Sequence, residues 1–166
     1  MKKLLLSSLI FFSLKLFSQL PDYSLLDMNN NYTEIKELAG ENLTIVDFWA
    51  TWCKPCVKEM PDLMKANQKF KDQKFKMILV SMDFDTYLHT KVIPFINEQN
   101  IETDVILLND SKQHEWIEKI NSAWSGAIPI TILFNKDFYF FREGEITFEE
   151  LNELITKNLI QWKKYF

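Results

Sequence analysis

Two cysteines and two acids crowd one short stretch, VDFWATWCKPCVKEMP, at residues 46–61. Cys53 and Cys56 are the only cysteines of the 166-residue chain. Thiols at this spacing suit dithiol–disulfide exchange, half of a zinc site, or a structural bridge. A zinc site needs four ligands, and His89 and His114 lie far along the chain at no zinc-like spacing. A bridge across so short a loop constrains little of the unfolded chain, so it stabilises little. Exchange remains, in which an outer thiolate attacks and an inner one resolves. Asp47 and Glu59 stand close enough in sequence to handle the proton of the resolving thiol. Two blander roles stay open for them: a strand-end carboxylate satisfied by its surroundings, and a solvated helix residue.

These residues need a strand, a sharp turn and a helix to hold them. Residues 42–50, NLTIVDFWA, form a nearly continuous apolar run, as in the buried middle of a sheet. The spacing predicts a helix from Lys54 to Phe70, with Pro55 tolerated in its first turn and Pro61 kinking it. Cys53 then opens that helix, where free amides and the positive dipole end favour a thiolate. A thiol with a pKa of about 8.5 is only a few per cent ionised at neutral pH; at about 7 it is half ionised. Cys56, three residues on, lies on the same side one turn deeper. Further on, residues 23–26, 75–83 and 104–110 read as strands. Residues 87–100 read as a helix containing Pro94, and residues 111–121 as a helix capped by Ser111. ITILF and FYFFR form a hairpin around NKD, and residues 148–162 a closing amphipathic helix. Strands alternating with helices, then a hairpin and a helix, give an α/β fold: a three-layer sandwich on a mixed sheet.

The run VDFWATWCKPC, with Pro61 after it and AIPITILFNKDFYFFREGE downstream, resembles the thioredoxin superfamily over about residues 21–160. The pattern C-x-P-C-x-x-E-x-P, met by Cys53, Pro55, Cys56, Glu59 and Pro61, is similar to its exported TlpA/ResA-type branch. The 73 positions from Cys56 to Pro129 exceed what one βαβ unit of roughly 30 residues needs. The surplus, about residues 83–109, matches the extra strand and helix of that branch, inserted between the CxxC helix and the cis-proline. The resemblance implies a thiol–disulfide oxidoreductase with Cys53 and Cys56 as its redox pair. Pro129 would be the cis-proline facing that pair, and Ile128 would present its backbone to an extended substrate. Trp52 and Trp124 would flank the sulfur as apolar surface, with Pro55 also on the substrate side. It implies protein thiols and disulfides as substrates, an exported or membrane electron donor, and no cofactor or metal. Electron delivery to exported thiols, for instance in cytochrome c maturation, is the implied setting. Thioredoxin-like proteins place an acid at the Asp47 position, whereas many of the TlpA/ResA type have asparagine there and use the glutamate. This chain carries both acids.

Composition bounds the rest. At 47% hydrophobic and 14% aromatic, the chain can bury a core. MKK followed by the 11-residue apolar stretch LLLSSLIFFSL, with Ser18 before a cleavage point, reads as a signal peptide over residues 1–18. That leaves one domain over residues 19–166, in the periplasm or otherwise outside the cytoplasm. The stretch is far shorter than the roughly 20 residues of a span; an uncleaved N-terminal anchor is the alternative. Cleavage removes three lysines and moves the formal charge from −4 to −7, which argues against nucleic acid as a partner. Three rival functions are weighed: a disulfide-forming oxidase or isomerase of the same fold, a peroxiredoxin-like peroxidase, and a non-catalytic peptide-binding module. Peroxidase chemistry wants Thr or Ser three residues before the cysteine and an arginine close by; the chain has Ala50 there, and its one arginine is Arg142. A peptide-binding module needs no second cysteine. Lys54 beside Cys53 favours the oxidase, but an exposed charge is worth about 20 mV on the redox scale.

Overall fold

The computed structural model describes residues 25–26, 41–108, 117 and 120–163. The signal segment, residues 27–40, Asn109, Asp110 and most of the expected helix at 111–121 lie outside them. The sheet has six strands in the order β1-β4-β3-β2-β5-β6. They are β1 (Leu25–Leu26), β2 (Leu43–Trp49), β3 (Phe75–Ser81), β4 (Asp104–Leu108), β5 (Ile130–Phe134) and β6 (Tyr139–Glu143). β1, β4, β3 and β2 run parallel, while β5 and β6 are antiparallel additions. The mixed sheet and the inserted strand β4 match the expected thioredoxin-like architecture.

β2 lies in the interior of the sheet and is buried along its whole length, which is why it reads as an unbroken apolar run. Its side chains alternate between two cores. Leu43, Ile45 and Trp49 join Met77, Leu79, Val105 and Leu133 on one face, under α1 (Lys54–Phe70) and α3 (Phe148–Lys163). Val46 and Phe48 join Ile78, Val80, Ile106 and Ile132 on the other. By this period Asp47 belongs to the face that α1 covers, and so does Thr131, its register partner on β5.

α1 buries Cys56, Glu59, Met60, Leu63, Ala66, Asn67 and Phe70, spaced at one helical face. It runs through Pro61 without interruption. α3 starts with a capping box: Thr147 Oγ1 accepts from Glu150 N, and Glu150 Oε2 accepts from Thr147 N. It contributes Leu151, Ile155 and Leu159 to the same core.

The helix expected over 87–100 is broken into three pieces. A 3₁₀ turn (Asp85–Tyr87) leads into a π turn (Leu88–Val92) and then the short α2 (Ile93–Glu98). Pro94 explains the break: it has no N–H to bond the preceding turn, so it is accommodated in the first turn of α2. Asn100, at φ 50°, ends the segment. Among the described residues, no helix is long and apolar enough to cross a membrane.

Candidate active site

Cys53 is the N-cap of α1, with extended backbone at φ −85° and ψ 100°. Its own N–H donates to Ala50 O at 3.1 Å, closing the turn out of β2. Its Sγ accepts from Cys56 N at 3.3 Å, so one of the unpaired amides of the helix start points at sulfur. Cys53 and Cys56 are joined by a disulfide, with Cα atoms 5.3 Å apart. Cys56 is fully buried and Cys53 retains a sliver of exposure. An incoming group therefore meets Cys53 first.

The second wall is the segment before β5. The Ile128–Pro129 peptide bond is cis. Ile128 O lies 3.6 Å from Cys53 Sγ, a distance at which a reduced thiol can donate to it. Pro129 O accepts from Gly144 N at 2.8 Å. Glu143 holds the same loop from β6, accepting from Ser125 N at 2.8 Å and Ser125 Oγ at 2.5 Å. Gly126 follows at φ 92°, a conformation side chains resist. Glu143 carries no signal in the sequence, because its partner Ser125 lies 18 residues away.

The expected apolar flanks divide. Trp52 is 56% exposed, an indole standing in solvent beside the disulfide. Pro55 is half-buried in the first turn of α1. Trp124 is 5% exposed and offers no open surface. Its ring packs edge-on against Phe48, with centroids 5.3 Å apart, and its Nε1 donates to Ala127 O at 2.7 Å. Trp124 thus belongs to the core beneath the cis-proline loop, because β2 places Phe48 on that face.

Asp47 and Glu59 are both buried on the α1 side. Asp47 Oδ2 accepts from Thr131 Oγ1 at 2.9 Å, and Glu59 Oε2 accepts from Ile146 N at 2.9 Å. Asp47 Oδ1 and Glu59 Oε1 have no hydrogen-bond partner among the described residues. Burial pushes the Asp47 carboxyl well above the usual range, the nearby Glu59 charge pushes it further, and the Thr131 hydroxyl opposes both. Glu59 is pushed up to about 7, chiefly by burial; the Ile146 amide opposes this, the Glu145 and Asp62 charges add to it, and Arg142 counters. Two neighbouring buried carboxyls, both raised, titrate together, which suits the pair to exchange protons with a buried thiol. Thr131 was not singled out in the sequence, although its place two residues after Pro129 sets it beside Asp47. No group of three or more His, Cys, Asp or Glu among the described residues could hold a metal ion.

The comparisons with known proteins agree with this geometry. A profile of the AhpC/TSA family matches residues 17–139. Thiol-disulfide oxidoreductase ResA of Bacillus anthracis is 29% identical over 139 residues, covering 82% of this chain and 75% of ResA. The crystal structure of StoA from Bacillus subtilis superposes with a TM-score of 0.53 at 25% identity, over 68% of this chain and 81% of that one. The thioredoxin domain of a thiol-disulfide oxidoreductase from Bacteroides vulgatus gives a TM-score of 0.58 at 23% identity, over 75% and 84%; it speaks for the fold. The matched region takes in β2, the Cys53–Cys56 pair and the cis-proline together. With that site intact on a thioredoxin-like fold, the chain belongs to the AhpC/TSA family and is a thiol–disulfide oxidoreductase.

Proposed function

We propose that this protein reduces disulfides in proteins outside the cytoplasm. The carrying observation is the pairing of a helix-capping sulfur, Cys53, with two buried acids whose pKa values are raised. In the reduced form, the Cys53 thiolate attacks one sulfur of a substrate disulfide and expels the other as a thiolate. A mixed disulfide results. Cys56 then gives its proton to Glu59 or Asp47 and attacks Cys53 Sγ. The second substrate thiolate leaves and the Cys53–Cys56 disulfide closes, so two electrons have passed to the substrate. An exported or membrane-bound dithiol donor returns the pair to its reduced state.

An acid that can accept a proton near pH 7 is useful mainly to a protein that must ionise its resolving thiol, and this favours the reductive direction. The carbonyl of Ile128 and the exposed Trp52 offer the substrate backbone pairing and an apolar contact. The N-terminal hydrophobic segment supports export. A peroxidase reading finds less support: Ala50 supplies no hydroxyl, and Arg142 is engaged with Glu150 Oε1 at 3.1 Å and Glu145 O at 3.3 Å.

Trapping tests the roles of the two sulfurs. Cys56→Ser lacks the resolving thiol and accumulates mixed disulfides with substrate proteins, whereas Cys53→Ser does not. Equal trapping by Cys53→Ser reverses the assignment.

A further inference from the structure

Asp83 is a buried acid with no part in the exchange steps above. It lies two residues past the end of β3 and is 1% exposed. Its Oδ2 accepts from Thr51 N at 2.9 Å and from Ser81 Oγ at 2.9 Å, and its Oδ1 accepts from Thr51 Oγ1 at 2.6 Å. Ser81 Oγ in turn accepts from Asp83 N at 3.2 Å. Beside this cluster, Met82 N donates to Trp49 O at 2.7 Å, carrying the β2–β3 pairing one residue past the end of β3.

Burying a carboxyl group is costly unless its oxygens are hydrogen-bonded. Here three bonds satisfy it, and two of them go to one residue. That residue, Thr51, stands two positions before Cys53, inside the turn closed by Cys53 N and Ala50 O. Both the amide and the hydroxyl of Thr51 are therefore fixed from β3, 32 residues away in sequence. The course of this turn sets the backbone of Cys53, and so whether its Sγ meets the amide of Cys56 at the helix start.

We propose that Asp83 is a positioning residue for thiol exchange. By clasping Thr51 it holds Cys53 Sγ against the N-terminus of α1, where the thiolate is stabilised. The proposal rests on Cys53 being the attacking sulfur.

Three variants test it: Thr51→Val, which leaves Asp83 in place but removes the hydroxyl donor; Thr51→Ser, which restores that donor; and Asp83→Asn, which replaces an acceptor oxygen by a donor. The reduced proteins are mixed with 5,5′-dithiobis(2-nitrobenzoate), a small disulfide that needs no protein-docking surface. Thiolate absorbance at 240 nm is titrated in parallel, and thermal unfolding is recorded. Displacing a reacting group by about 1 Å can slow a reaction about a hundredfold, and a smaller shift correspondingly less. Thr51→Val and Asp83→Asn are expected to react about tenfold more slowly, equivalent to about 1.4 kcal/mol. The Cys53 thiol of Thr51→Val titrates at higher pH, and Thr51→Ser recovers to within about twofold. Variants that melt earlier but keep wild-type rate and titration overturn the proposal. So does Asp83→Asn reacting faster while Thr51→Val is unchanged, which would be a charge effect. If Asp83→Asn does not fold, the Thr51 pair decides alone. The residue first alkylated in the reduced wild type separates the two ways of failing. If it is not Cys53, the nucleophile assignment falls; if it is Cys53 and the variants match wild type, only the role of Asp83 falls.

Discussion

Replacing Glu59 by glutamine should make the oxidised protein more stable at pH 8 and leave it unchanged at acid pH. A carboxyl whose folded pKa is raised holds its proton more tightly folded than unfolded. Its penalty is absent below the unfolded value, grows as pH rises through the gap, and is complete above the folded value. For Glu59 that window runs from 4.5 to about 7. At 1.36 kcal/mol per pH unit, the rise sets a ceiling of about 3 kcal/mol. Solvent reaches this edge of α1, where the neighbouring Lys58 and Glu145 side chains are 74% and 40% exposed, so screening lowers the expectation to about 2 kcal/mol. The glutamine carbonyl can still accept from Ile146 N, which keeps the link between α1 and the turn before α3. Urea unfolding of both oxidised proteins at pH 4, 5, 6, 7 and 8 gives the two stability curves. Their difference is the quantity to read, because it removes most of the share that belongs to Asp47. It should be near zero at pH 4, open between pH 4.5 and 7, and reach about 2 kcal/mol in favour of Glu59→Gln by pH 8. Parallel curves would show that Glu59 titrates normally and is no proton acceptor for Cys56 near pH 7.

Two further outcomes are expected. Asp47→Asn and Glu59→Gln should each move the pH dependence of thiol exchange, and the double variant should depart from additivity by about 0.5 kcal/mol or more; strict additivity would mean that the two acids do not act on one thiol. Mass spectrometry of the native protein should find an N-terminus near Gln19, while intact Met1 in a membrane fraction would indicate an anchor, and in the cytosol would refute export.

The fold was legible where one residue pattern had one physical solution. β2 is apolar at nearly every position because helices cover one face and the Trp124 side covers the other. Pro55 fits the first turn of a helix, where its missing N–H leaves no hydrogen bond unmade, and this marks Cys53 as the cap. Where two contexts compete, the sequence could not choose. The apolar spacing over 87–100 is helical, but Pro94 breaks the hydrogen-bond ladder and three short turns share the segment. Trp124 next to an active-site loop could be surface or core, and the parity of Phe48 on β2 decides for core. Glu59 on α1 falls on the buried face with Cys56, Met60 and Leu63, but its hydrogen-bond partner, the Ile146 amide, lies 87 residues on. Asp83 gave no signal, because its meaning lies in Thr51 and their pairing comes from the register of β2 and β3. The crowding of Asp47, Cys53, Cys56 and Glu59 was visible at once, since one strand–turn–helix carries all four. Which atoms of the acids lack partners depended on residues far along the chain.

The reduction potential of the Cys53–Cys56 pair decides whether this protein gives electrons to its substrates or takes them. Equilibrating the purified domain with glutathione or dithiothreitol measures it. Proteins of this CxxC type span about −270 to −120 mV, roughly 7 kcal/mol for two electrons. A reductant whose resolving thiol is served by Asp47 and Glu59 should lie towards the −270 mV end. A value near −120 mV, together with rapid oxidation of reduced, unfolded substrates, would make the protein a disulfide-forming oxidase instead.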